Sequence, residues 1–302
     1  FRALFQTEAM SVAPKFFRWV GSKSKIVDKL LPLFPDRITH TFVSPFLGGG
    51  ALEMALLAGP AQHCEKIVLA DKNPNVIAAW RMCMASSEGL SLLFKRLEWY
   101  ESTDTRTEGA IFLSERMNVR ETCEEWERAA RFLYLNQTGW HGLWRENKSG
   151  HLNTPRQDTR VFFKAEPVIE QVQAMRAFLV PFRDRIMFRV GDFGLIMGGR
   201  PDMARTVTYA DPPYLPSLPE DGKTRNFASY VKGGFPVGAH KDLAGYAQEC
   251  ALCVVSNSDT PKAHEIYAQA KSKITFPHTH SVGPQARSRI KIGEAAFVFS
   301  RE

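Results

Sequence analysis

Six short runs of apolar residues recur along the chain: THTFVSPF at 39–46, KIVLAD at 66–71, RIMFRVGD at 185–192, TVTYAD at 206–211, LCVVSNSD at 252–259 and EAAFVFS at 294–300. They are rich in valine and isoleucine, end in Asp, Gly or Pro, and several are followed by helical patterns. This alternation predicts an α/β fold with a mostly parallel, doubly wound sheet. Such sheets hold ligands at the carboxyl ends of their strands. Asp71, Asp192, Asp211 and the turn SPFLGGG all fall at those ends, which makes them the first candidates for chemistry.

Between about 86 and 165 the strand signals vanish, and LSLLFKRLEW and EEWERAARFLYL show helical apolar spacing. The chain therefore divides into a discontinuous sheet domain, 10–85 and 166–302, and a helical insertion, 86–165. The insertion carries Arg116, Arg120, Arg128, Arg131, Arg145, Lys148, Arg156, Arg160 and Lys164, interleaved with Trp140 and Trp144. Cations mixed with aromatics suit phosphate contact and base stacking.

Composition narrows the classes. With 302 residues, 44% hydrophobic and 24% charged, the chain can bury a sizeable core. A net charge of +7 points to a polyanionic partner. No apolar stretch approaches the roughly 20 residues that cross a bilayer, and FRALFQTEAM lacks the succession of a signal peptide, so a soluble, cytoplasmic protein is expected. The five cysteines are odd in number and scattered, as reduced thiols are. Cys250 and Cys253 form one C-x-x-C without a second pair or a nearby histidine, so core packing is expected there and no metal site.

The turn SPFLGGGALEMALL, 44–57, puts Gly48, Gly49 and Gly50 between a strand and a helix, where the lack of a Cβ lets backbone approach a ligand. It has neither the Lys-Ser/Thr ending of a P-loop nor the dinucleotide spacing G-x-G-x-x-G. About twenty residues on, Asp71 ends the next strand, where a carboxylate can accept two ribose hydroxyls. Those features suit a ribose-bearing ligand without an essential phosphate site. In ADPPYLP, 210–216, Pro212 and Pro213 stop strand pairing and stiffen the chain. They fix Asp211, the Pro212 carbonyl and the Tyr214 ring relative to one another.

Taken together, FRWVGSKSKIV (17–27), the glycine turn, FLYLNQTGWHGLWRENKSGHLNTP (132–155), ADPPY, NFASYVKGGF (226–235), LCVVSNSDT (252–260) and SRIKIGEAAFVF (288–299) resemble the Dam-type DNA adenine methyltransferases in the same order, from Phe16 to Phe299. The resemblance implies a Rossmann-like methyltransferase sheet with an inserted target-recognition region, and S-adenosyl-L-methionine as methyl donor. It implies double-stranded DNA as partner, adenine within GATC as target, and a bacterial or phage-infected cell as setting.

On the donor side it implies Asp71 for the ribose, Trp19, Lys23, Phe46, Gly48 and Gly50 around the methionine end, Asp192 and Phe193 beside the adenine, and Asp211 near the methyl group. For catalysis it implies Asp211, Pro212, Pro213 and Tyr214. The Asp211 carboxylate and the Pro212 carbonyl would take the two hydrogens of the target amine, and Tyr214 would stack on the flipped base. For DNA it implies Arg18, Trp140 as the wedge in the vacated stack, and His141, Leu143, Arg145 and Pro155 as readers.

The chain also departs from the family pattern. Ser44 replaces the usual acidic residue before Pro-Phe, which predicts weaker donor binding or another acceptor in its place. Gln137, Thr138 and His141 replace the usual Arg, Tyr and Asn. The alternatives are a methyltransferase for another planar amine, such as cytosine in DNA or adenine in RNA, and a DNA-binding protein that has lost catalysis.

Overall fold

A computed structural model describes residues 13–158, 161–215, 235–276 and 293–301; Arg160 and most of NFASYVKGGF and SRIKIG lie outside them. Among the described residues seven strands form one sheet: β1 Thr41–Ser44, β2 Lys66–Asp71, β3 Ile186–Val190, β4 Thr206–Ala210, β5 Leu252–Ser258, β6 Ser272–Phe276 and β7 Glu294–Ser300. Their order is β3-β2-β1-β4-β5-β7-β6. The first five are parallel, and β7 lies antiparallel between β5 and β6. Strand order reverses between β1 and β4, so the sheet is doubly wound and opens a crevice at the carboxyl ends of those two strands.

All six expected strands form, within a few residues of their predicted ends. β6, SKITF, is the one that the sequence pattern does not announce. It lies at the sheet edge with Ser272, Lys273 and Thr275 exposed, so it carries little of the apolar signal that marks a buried strand.

The helices are α1 Val27–Leu30, α2 Ala51–Ala58, α3 Pro74–Met82, α4 Ser87–Arg106, α5 Ile111–Glu115, α6 Glu125–Thr138, α7 Ala165–Leu179, α8 Phe193–Met197, α9 Val237–Glu249 and α10 Pro261–Ile266. Alternation along the strands sends side chains to two covered faces. Phe42, Ile67, Leu69, Tyr209 and Val254 join the larger cluster with Leu57, Trp80 and Phe132. On the other face Val43, Val68 and Ala70 meet Ile196 of α8. Ala210, Val255 and Phe297 pack there with Leu243 and Ala244 of α9, together with Cys250 and Cys253, which serve the core as expected.

The larger cluster continues without a break from the sheet through α3 into α4 and α6 of the helical stretch. Its pivot is Trp80. The indole stacks 6.0 Å from Phe188, crosses Phe16 edge-on, and donates from Nε1 to the Gly48 carbonyl at 3.0 Å. A Cβ on Gly50, whose φ is +66°, would press into this ring at 2.7 Å, so the glycine turn is shaped by the core beneath it. Truncating Trp80 to Ala would cost about 3–5 kcal/mol.

Candidate active site

The glycine turn runs from the end of β1 into α2, with Gly48 and Gly50 both at positive φ. Trp19 lies across it, and a Cβ on Gly48 would overlap the indole. Asp71, at the end of β2, faces the same turn. Its Oδ2 accepts from Gly48 N at 2.9 Å and its Oδ1 from Asn73 N at 2.8 Å. Burial raises its pKa to about 6 against the pull of those N–H groups. The two backbone donors aim the carboxylate and leave its remaining lone pairs for hydroxyl groups.

At the end of β4, Asp211 meets Lys23 of the 3₁₀ turn Lys23–Lys25. Lys23 is only 4% exposed, and its Nζ donates to Asp211 Oδ2 and to the Gly21 carbonyl, each at 2.6 Å. Lys23, which the resemblance sets around the methionine end of the donor, is thus tied to Asp211. Desolvation raises the Asp211 pKa and Lys23 draws it back down. Asp211 Oδ1 is buried and, among the described residues, meets no donor at full hydrogen-bond geometry, while the nearby Tyr214 hydroxyl helps Lys23 draw the carboxyl's pKa down. Tyr214 carries Lys23 over its ring at 5.0 Å, and its hydroxyl lies among Asp211 and Glu294, so the ring is braced from both sides.

The next residue, Leu215, is clamped by the end of β5. Its N–H donates to Asn257 Oδ1 at 3.2 Å, and its carbonyl accepts from Ser258 Oγ at 3.2 Å. Asn257 and Ser258 are buried supports of the ADPPY bend that the sequence reading missed, because SNSD looks like any polar strand end.

Toward β2 and β3, Phe46, Phe193 and Phe235 form a cluster with centroids 5.4–5.6 Å apart. Beside them opens a cavity of about 310 Å³ lined by Lys72, Asp192, Phe193, Phe235, Asp242 and Tyr246. Asp192 caps α8 by accepting from Gly194 N at 3.1 Å, and it pairs with Lys72 at 3.1 Å.

The predicted DNA readers gather on one surface. Trp140 is 48% exposed, Arg18, His141, Arg145 and Pro155 are exposed, and Leu143 is half-buried. Antiparallel bridges Gly139–Arg156 and Glu146–Leu152 fold residues 139–156 back on themselves. Gln157 Oε1 accepts from Arg18 Nη1 at 3.3 Å and from His141 N at 3.4 Å, which joins the amino-terminal segment to this surface. Asn136 adds a bond to the Arg18 carbonyl at 2.8 Å. Arg145 Nε is held by Asn153 Oδ1 at 2.7 Å.

Several expected phosphate or stacking groups are not available to DNA. Arg131 is buried and paired with Glu115 at 2.8 Å. Arg156 is covered and forked onto Asp104 at 3.0 and 2.7 Å. Trp144 is buried against Phe132. All three face the interior, Arg131 from α6 and Trp144 and Arg156 from the non-helical chain after it, where packing and a carboxylate partner, Glu115, Glu146 and Asp104 in turn, outweigh hydration.

The sequence profile of the D12 class N6 adenine-specific DNA methyltransferases matches residues 19–279. The chain is 24% identical over 310 residues to the DNA adenine methylase of Haemophilus influenzae, covering 98% of this chain and 99% of that one. With the DNA adenine methylase of Vibrio cholerae it shares 25% over 290 residues, covering 94% and 95%. With the type II methyltransferase M1.LlaDCHI of Lactococcus lactis subsp. cremoris it shares 27% over 298 residues, covering 96% of each. A profile match across most of the chain, on a doubly wound sheet whose switch point carries Asp211 and the glycine turn, places this protein in the D12 class, and it is an adenine-specific DNA methyltransferase.

Proposed function

We propose that the enzyme transfers a methyl group from S-adenosyl-L-methionine to the exocyclic amine of an adenine turned out of double-stranded DNA, within GATC. The observation that carries this reading is the pairing across the switch point: a rigid acidic bend at the end of β4 faces a glycine turn and a ribose-competent carboxylate at the ends of β1 and β2.

The residues present fit such a donor. Asp71 keeps lone pairs for ribose hydroxyls, the aromatic cluster and the cavity beside Phe193 suit a flat heterocycle, and the glycine turn under Trp19 admits a ligand where side chains could not. When bound, the donor supplies an electrophilic sulfonium methyl. The protein supplies the rest. Burial raises the Asp211 pKa and Lys23 opposes that rise, favouring the ionised form. Asp211 Oδ1 and the Pro212 carbonyl then accept hydrogen bonds from the amine's two N–H groups and stabilise the positive charge that grows on nitrogen during in-line transfer, after which the methylated amine keeps one hydrogen and the other leaves as a proton to solvent. Pro213 keeps the bend stiff, Tyr214 forms the wall against which the adenine rests, and Trp140 fills the vacated stack. Lys148 and Arg18 add phosphate attraction, while Arg145, His141, Leu143 and Pro155 face the bases.

The test is methyl transfer from labelled donor to duplex oligonucleotides that vary one base at a time, with mass identification of the product nucleoside. N6-methyladenine in GATC duplexes is expected. Methylcytosine, transfer to RNA alone, or preference for an unrelated site would overturn the corresponding part of the reading.

A further inference from the structure

Glu53, in the first turn of α2, is the most deeply placed carboxyl beside the glycine turn. It is 3% exposed, and its Oε1 accepts from Ser44 Oγ at 2.7 Å. The groups acting on it are Ser44 at the end of β1, Lys23 on the 3₁₀ turn and Asp211 after β4, and its charge in turn acts on the Tyr209 phenol of β4. Lys23 is the cation among them, and its ammonium is committed to Asp211 and Gly21. A buried carboxyl is seldom kept without a partner. Burial pushes its pKa up to about 8, with Ser44 and Lys23 pulling it down and Asp211 pushing it further up, so at neutral pH the free enzyme stores a proton here.

Ser44 stands where the resemblance places an acidic residue, and its hydroxyl points to a carboxyl nine positions later in the chain. We infer that Glu53 seats the α-ammonium of the donor's methionine portion, supplying from α2 the carboxylate that position 44 lacks. The inference rests on S-adenosyl-L-methionine being the donor. Its charge logic is specific: the target amine is neutral and is served by Asp211, whereas the methionine end brings a cation to Glu53, on which, among the described residues, Lys23 acts while bonded to Asp211. When the ammonium arrives, the Glu53 carboxylic acid ionises to carboxylate and its proton leaves to solvent.

Titration calorimetry at pH 7 in buffers of different ionisation heat counts that proton without any turnover. The probes are S-adenosylhomocysteine, which carries the ammonium, and methylthioadenosine, which keeps ribose and adenine but lacks the amino-acid portion. The wild type should release close to one proton with S-adenosylhomocysteine and none with methylthioadenosine. Glu53→Gln should bind S-adenosylhomocysteine about 10- to 100-fold more weakly, without proton release, and bind methylthioadenosine as the wild type does, which also shows that it is folded. The double variant Ser44→Asp with Glu53→Leu, which returns the carboxylate to β1, should recover most of the lost affinity. Equal affinity and equal proton count in wild type and Glu53→Gln would overturn the inference while leaving the donor reading intact. A wild type that binds neither probe would overturn the donor reading itself.

Discussion

The end of β4 and the folded-back segment 139–156 are both crowded with polar and aromatic side chains, yet they treat them in opposite ways. At β4, Lys23, Asp211, Tyr214, Glu294 and Glu53 are covered and lean on one another. In 139–156, Trp140, His141, Arg145 and Lys148 reach into solvent from a backbone held by two bridges. Chemistry on a weak nucleophile gains from dipoles fixed before the substrate arrives, in a place where water cannot screen them. Reading a duplex requires side chains that meet groups on another molecule. The segment 18–23 spans both regimes: Arg18 lies with His141, Trp19 covers the glycine turn, and Lys23 neutralises Asp211.

The sharpest way to break this contrast is at Asp211. Asp211→Ala should lower turnover by at least about 100- to 1000-fold while DNA binding, followed by fluorescence anisotropy, stays near wild type. Near-normal turnover would mean that the preorganised end is not where the rate arises. Next in size is Asp71→Ala, expected to weaken donor binding by about 10- to 100-fold with little change in turnover at saturation. The Asp71 pKa is raised to about 6, and ribose hydroxyls donate to the carboxylate form, so affinity for methylthioadenosine, which carries the ribose without the ammonium, should be level above that pH and fall as pH drops through it. Calorimetry across pH 5–8 checks both expectations, and a pH-independent affinity in the wild type would reject the assignment.

On the exposed side the effect should be smaller and selective. Arg145→Ala should lose about 1–3 kcal/mol of discrimination at one base pair, read from transfer to GATC duplexes and their single-base variants. Equal losses on every duplex would make Arg145 a phosphate contact, and the contrast between reading and gripping would have to be redrawn. Smallest is His141, whose φ of +51° lies in the left-handed region, beside Gly142 at +68°. Asparagine tolerates that region better, which gives a physical reason for the family's preference there. His141→Asn should raise stability by up to about 1 kcal/mol in denaturant unfolding. No gain would show that His141 is held by contacts that offset its strain.

Legibility in the sequence followed burial geometry. Strands β1–β5 and β7 were readable because apolar runs ending in Asp, Gly or Pro report a doubly covered sheet, and β6 was not, because an edge strand with solvent on its exposed positions looks like loop. Asp71, Asp211 and the glycine turn lie at strand ends as their place after apolar runs predicts, where such sheets open a crevice. Glu53 was not readable: an acid in the first turn of a helix is commonplace, and only the fold reveals that this one turns inward onto Ser44. Arg131, Arg156 and Trp144 are read as DNA-facing for the converse reason, since composition does not say which side chains of a segment turn inward onto their neighbours.

Asp104 of α4 is fully buried and accepts from the Tyr134 hydroxyl at 2.6 Å, from both terminal nitrogens of Arg156, and from Phe163 N at 2.8 Å. This anchor grips the polypeptide just past the exposed side chains proposed to read DNA, while Gly139 N, bonded to the Leu135 carbonyl, secures the chain just before them. Everything between behaves as a cassette with fixed mounting points. On the proposed function, substitutions there would retune which bases are read without disturbing how the rest folds, so one scaffold would serve enzymes with different target sites.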